Sequence, residues 1–165
     1  EVVRHLSSFN LPVGVSIYPM EKTPDHLKAL GVSEVKFNLE AATPELFTEM
    51  CPGLAYDQIL RVLDRSVEVF GKNRVFSNIL IGLGETEAEL EACIKNLTSR
   101  GVIPVLRPLN PVAGLAGMPR PSAEKLKRIF AMHKRALESA GLDTREARTM
   151  CTRCAGCDLV PGRDE

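Results

Sequence analysis

The stretch Val75-Phe-Ser-Asn-Ile-Leu-Ile81-Gly-Leu-Gly-Glu-Thr86-Glu-Ala-Glu89 changes its hydrophobic period part-way along. Residues 75–81 are a seven-residue run rich in β-branched and apolar side chains, which suits a buried strand. Gly82 and Gly84 then mark a turn. Thr86 and Glu89 stand at T-x-x-E spacing, a capping box that opens a helix. Leu90, Cys93, Ile94 and Leu97 follow at helical spacing, and Gly101 stops the helix. A second apolar run, Val102-Ile-Pro-Val-Leu106, comes next. Strand, helix and strand without a hairpin signal make a parallel pair joined by a crossover.

The same unit recurs on the N-terminal side. Residues 13–18 and 34–39 read as earlier strands. Each is followed by Thr-Pro, at Thr23-Pro24 and Thr43-Pro44. That pair is an N-cap with proline at the first helical position. The first of these helices carries Leu27 and Leu30 and stops at Gly31. The second is expected to run as one long helix from Thr43 to Gly71, with Tyr56, Ile59, Leu63 and Phe70 facing inward. Beyond the fourth strand a Pro/Gly-rich loop spans residues 107–121. Ser122 then caps a last helix with Leu126, Ile129, Phe130, His133, Leu137 and Ala140 on its inner stripe. His133 on that stripe reads as a packed core histidine. Residues 144–149 are read as a short fifth strand.

The fold class is α/β, with parallel strands alternating with helices. Residues 1–149 form one such domain, and residues 150–165 an irregular Cys-rich tail. Right-handed crossovers leave two architectures, an open doubly wound sheet or part of a (β/α) barrel. Both put functional sites at the C-terminal ends of strands, just after Leu39, Ile81 and Leu106.

Composition narrows the function classes. The 165 residues suffice for one domain with a single core. Lys+Arg and Asp+Glu balance at 21 each, so no stripe for nucleic acid and no membrane-binding face is expected. No apolar run approaches the roughly 18–20 residues of a membrane span. The polar start, Glu-Val-Val-Arg-His, is no signal peptide. Because the first residue is not Met, the chain is read as a trimmed or partial one. Five cysteines, three of them clustered near the C-terminus, argue for a reducing cytoplasm and a metal rather than a disulfide scaffold.

The cluster is Cys151-Thr-Arg-Cys154-Ala-Gly-Cys157, with C-x2-C-x2-C spacing. Such loops let three thiolates converge on one inorganic core, and ferredoxin-type iron–sulfur runs begin in the same way. The fourth ferredoxin cysteine is replaced by Asp158-Leu-Val-Pro161. One iron would then keep an open or externally ligated position. Zinc is the competing metal, although it usually takes four protein ligands in two separated pairs. The plain alternative is a surface tail with free thiols. Cys93 reads as a small core residue, and Cys51 is isolated.

Two strand ends carry polar groups. In Phe37-Asn38-Leu39-Glu40 the period of two aims Asn38 and Glu40 to one side. They suit ribose hydroxyls, or form a solvated strand end. The glycine pair 82/84 fits a nucleotide-binding turn or a tight turn into a capped helix. Arg107 fits a carboxylate of cofactor or substrate, or a surface salt bridge.

Taken together, Lys36-Phe-Asn-Leu-Glu-Ala-Ala-Thr-Pro-Glu-Leu-Phe47 and Ile79-Leu-Ile-Gly-Leu-Gly-Glu-Thr86 resemble biotin synthase and its radical S-adenosylmethionine relatives, over roughly residues 12–117. The resemblance implies a partial TIM-type (β/α) barrel. It implies that Asn38 and Glu40 meet the ribose of S-adenosylmethionine, that Leu80 meets adenine, and that Gly82 permits close approach. Two positions depart from the motif: Asn78 stands for its first glycine and Leu80 for its isoleucine. The family's C-x3-C-x2-C signature is not in these residues. The chain is therefore expected to be a C-terminal part lacking two βα units, with a second [4Fe–4S] cluster on the preceding part. Cys151, Cys154 and Cys157 would hold an auxiliary [4Fe–4S] cluster.

The implied activity is radical chemistry at an unactivated carbon, with sulfur insertion of the biotin or lipoyl synthase kind as the leading subclass. The implied partners are a small-molecule or cofactor-precursor substrate and an electron donor such as ferredoxin or flavodoxin. Exposed sheet edges would allow self-association. The rival reading is a non-radical (β/α) binding or electron-transfer module with a zinc or redox cysteine knuckle.

Overall fold

Four parallel strands lie side by side in the order in which the chain makes them: β1 (Gly14–Ser16), β2 (Glu34–Lys36), β3 (Val75–Ile81) and β4 (Ile103–Pro108). The structure, a computed structural model, describes residues 1–154 and 158–163. A doubly wound sheet reverses its strand order at a switch point. This sheet has no reversal, so right-handed crossovers carry the connecting helices to one face. The result is an arc of a (β/α) barrel with a helix-covered outer face and a concave inner one. The helices are α1 (Val2–Ser7), α2 (Thr23–Ala29), α3 (Pro44–Met50), α4 (Tyr56–Phe70), α5 (Glu87–Ser99) and α6 (Ala123–Ala140).

Strand alternation divides the core between the two faces. Val35, Val75, Ile79 and Ile81 point outward and are buried with Ile59, Leu63, Leu90 and Ile94 of the helices. Phe76, Ile103 and Val105 point inward and pack with Leu142, Ala147 and Met150. The chain thus returns after α6 and covers the lower part of the concave face.

Local signals explain several boundaries. The Thr86/Glu89 capping box forms at the start of α5. Thr43 and Ser122 cap α3 and α6 by accepting from Leu46 N–H and Lys125 N–H. At Thr23 the expectation fails. Its hydroxyl accepts from Met20 N–H upstream, and Lys22 holds the cap position of α2. The expected long helix from Thr43 to Gly71 is two helices. Pro52 has no N–H and pushes Cys51 out of helical geometry, to φ −127° and ψ 60°.

The expected fifth strand is also absent among the described residues. Residues 144–146 form a 3₁₀ turn. The backbone N–H groups of Arg148, Thr149 and Met150 all donate to the Glu34 carboxylate. A buried side chain takes the donors that a neighbouring strand would have used. β4 is covered along its outer edge near Leu106, where Leu159 N–H donates to the Leu106 carbonyl at 2.9 Å. Among the described residues no helix is long and apolar enough to cross a membrane.

Candidate active site

Each strand presents alternate side chains to the concave face, and the register stacks them in layers. Gly14 lies beside Glu34, and Ser16 beside Lys36. Lys36 lies beside Phe76, and Phe76 beside Ile103. At the top, Leu80 lies beside Arg107. The strand-end residues singled out from sequence therefore share one face and one end of the sheet.

Asn38 and Glu40 meet there, and Asn78 joins them. Asn38 Nδ2 donates to Glu40 Oε1 at 2.9 Å, and Asn78 Nδ2 donates to Glu40 Oε2 at 3.1 Å. A carboxylate only accepts, so both amides must turn their NH2 groups toward it. Their oxygens are thereby aimed elsewhere. Among the described residues, both Asn38 Oδ1 and Asn78 Oδ1 are buried with no hydrogen-bond partner. Glu40 itself holds a left-handed φ of 63°, a strained conformation for a residue with a side chain. Two backbone bonds hold it there: Glu40 N–H to the Asn78 carbonyl and Leu80 N–H to the Glu40 carbonyl, both 2.8 Å.

The Gly82 turn is closed from within. Glu85 is buried and accepts from the N–H groups of Gly82 and Leu83, each at 2.8 Å. Lys125 Nζ supplies its counter-charge at 3.2 Å. These two amides are consequently engaged by the protein. Gly82 has φ 106°, and a Cβ there would lie 3.0 Å from the Pro121 ring. The close approach that Gly82 permits in this structure is that of the loop before α6. Leu80 is half-buried on the concave side.

Below this rim lies the returning tail. Glu34 is fully buried and also accepts from the Thr149 hydroxyl at 2.7 Å. A Cβ on Gly14 would overlap Thr149 Oγ1, so glycine is needed where the tail presses on β1. Cys151 follows, its sulfur 3.1 Å from Lys36 Nζ. Cys151 and Cys154 bracket a 3₁₀ turn, with Cys154 N–H donating to the Cys151 carbonyl at 2.9 Å. Cys157 lies outside the described residues. No group of three metal-ligating side chains is found among the described residues. Arg107 Nε donates to Asp158 Oδ1 at 2.8 Å, which ties the tail to the end of β4.

The remaining candidates stand apart. Cys93 is buried in α5, and burial pushes its thiol up to about 12. Burial, and secondarily the charge of Glu40, raises Cys51 above the ordinary thiol range. His133 is enclosed at 1% exposure, as the core reading expected, and burial pushes its imidazole down to about 3.

Sequence reasoning passed over Asn78, Glu34 and Lys36 as site residues. A signal for each was present. Asn78 is a polar residue inside an apolar strand, and buried polar groups need partners. Glu34, Lys36, Asn38 and Glu40 alternate strictly with buried apolar residues.

The comparisons with known proteins bear on the family and the fold. The family described as the Radical SAM superfamily matches residues 11–97. Bacteriochlorophyllide c C-7(1)-hydroxylase of Chlorobaculum limnaeum is 32% identical over 125 residues, which cover 70% of this chain and 31% of that protein. Lipoyl synthase of Erwinia tasmaniensis is 31% identical over 83 residues, covering 50% of this chain and 26% of that protein. The chain thus spans about a third or less of the length of these relatives. A domain of the pyruvate-formate lyase-activating enzyme of Bacteroides vulgatus shares the fold. Its TM-score is 0.65 at 16% identity, covering 86% of this chain and 84% of that one.

Proposed function

The chain belongs to the radical SAM superfamily, and we propose that it supplies part of the cofactor site of a radical S-adenosylmethionine enzyme. Residues 1–149 act as the barrel arc and residues 150–165 as a tail bearing an auxiliary iron–sulfur cluster. In this reading the radical-generating [4Fe–4S] cluster is held by a C-x3-C-x2-C segment outside these residues. When bound to that cluster, S-adenosylmethionine supplies hydrogen abstraction from an unactivated carbon.

The observation that carries the proposal is the pair of buried oxygens, Asn38 Oδ1 and Asn78 Oδ1, that have no hydrogen-bond partner among the described residues. A buried acceptor without a donor costs about 1–3 kcal/mol. A ligand bearing hydroxyls or an ammonium group removes that cost. The ribose and the methionine amine of S-adenosylmethionine offer such donors. Glu40 fixes both amides and adds a negative charge beside a cationic cofactor. Leu80 offers an apolar surface to adenine, and Gly82 lets the following loop close over the turn. Arg107 serves the site through the tail, holding Asp158 next to the cysteine run.

Cys151, Cys154 and Cys157 are proposed as ligands of the auxiliary [4Fe–4S] cluster. Sulfur insertion at carbon, of the lipoyl synthase kind, is the proposed reaction. Similarity to lipoyl synthase over half the chain supports it. The substrate is a small molecule or cofactor precursor, and the electrons come from a small donor such as ferredoxin or flavodoxin.

Two measurements test these proposals. Calorimetric titration of the chain with S-adenosylhomocysteine should give saturable heat that Asn38→Ala abolishes. Heat that is unchanged by that substitution would refute the cofactor site. Anaerobic reconstitution with iron and sulfide should load about four irons per chain, and Cys154→Ala should prevent it. Stoichiometric zinc uptake without iron would refute the cluster.

A further inference from the structure

β2 and its extension carry four polar side chains on the concave face, and three of them have evident partners. Glu34 accepts from the tail at residues 148–150. Asn38 and Glu40 bond to each other. Lys36 differs. It is only 9% exposed, and its ammonium donates to Cys151 Sγ at 3.1 Å. Among the described residues that sulfur is its one hydrogen-bond partner, and no carboxylate is within ion-pair distance. A second cation approaches the same turn. Arg163 Nη1 donates to the Cys151 carbonyl at 3.0 Å, and its Nη2 donates to the Asp158 carbonyl at 3.0 Å.

Burying an ammonium without a counter-charge costs several kcal/mol. A fold that places one there, with a cysteine sulfur as partner, is built for negative charge at that sulfur. We infer that Lys36 is the counter-ion of the inorganic group held by the cysteine tail, and that its N–H···S bond raises that group's reduction potential. The inference rests on the cluster reading given under Proposed function. Its physical basis is simple. Reduction adds an electron to a group that thiolates already make anionic. A fixed positive charge one hydrogen bond away stabilises the reduced form more than the oxidised one. Lys36 is also two residues before Asn38, about 7 Å along the strand. One strand therefore holds both the counter-ion of the tail and the clamp of the cofactor site.

The test uses this chain reconstituted anaerobically with iron and sulfide, as wild type, Lys36→Met and Lys36→Arg. Iron content and far-UV circular dichroism are measured first. The reduction potential is then read by titration followed by electron paramagnetic resonance. The expected result is equal iron loading, a more negative potential in Lys36→Met, and a potential near wild type in Lys36→Arg. Iron loss in Lys36→Met that Lys36→Arg restores also supports the inference, because it shows that the charge is needed for assembly. An unchanged potential in Lys36→Met overturns the role of Lys36 and leaves the cluster reading intact. Equal loss of iron in both variants does the same. A wild-type chain that takes up no iron overturns the cluster reading, and the role of Lys36 with it.

Discussion

His133 makes the stability of this fold depend on pH in a calculable way. Its ring is 1% exposed in α6, and neither ring nitrogen has a hydrogen-bond partner among the described residues. Protonating it in place would strand a charge in the core, so burial lowers its pKa from 6.5 to about 3. The unfolded chain binds a proton at this residue below about pH 6.5, and the native chain does not until about pH 3. Stability is therefore complete above pH 6.5 and is lost as pH falls toward 3. Each pH unit within that window costs about 1.4 kcal/mol. Between pH 7 and pH 5 the loss from this one group is about 2 kcal/mol. The assay compares wild type with His133→Leu by urea denaturation at pH 7, 6 and 5. Carboxylates titrate alike in both proteins, so their contribution cancels in the difference. The stability difference should move in favour of the leucine variant by about 2 kcal/mol from pH 7 to pH 5. A difference that stays constant with pH would refute a buried neutral imidazole.

Other substitutions probe the tail and the strand ends. Glu34→Ala removes the shared acceptor of three backbone donors, of which the one at Met150 is buried, and should cost about 1–3 kcal/mol in denaturant unfolding. Glu34→Gln keeps an acceptor and should cost less, and hydrogen exchange at residues 148–150 should separate the two. Gly14→Ala puts a methyl group into Thr149 and within 2.8 Å of Met150 Cε. It should destabilise by about 1–3 kcal/mol through overpacking, read as a shift in the urea midpoint. Asn78→Leu removes one buried acceptor and should weaken S-adenosylhomocysteine binding about tenfold in calorimetry, roughly 1.4 kcal/mol. Unaltered affinity would show that Asn78 Oδ1 faces no ligand donor.

What was legible in the sequence was what neighbours along the chain decide. The span of β3, the Thr86/Glu89 box and the Ser122 cap depend on residues a few positions apart. Asn38 and Glu40 could be paired for the same reason, since a period of two puts them on one side. Where a local signal had two uses, the reading failed. Thr43 and Thr23 carry the same Thr-Pro signature, yet Thr23 spends its hydroxyl on Met20. The Pro52 break was overlooked because the apolar spacing continues on both sides of it.

The sequence alone determined the repeating strand–helix units, the family resemblance and a C-x2-C-x2-C run at the far end. Only the tertiary structure decided what those parts face. Glu34 accepts from Arg148 to Met150 across more than a hundred residues, Lys36 donates to Cys151, and Asn78 donates to Glu40 at the end of the neighbouring strand. Such pairings depend on strand register and on the path of the chain after α6. No local propensity encodes them, because a strand's period says which side a residue faces and not what will be waiting there.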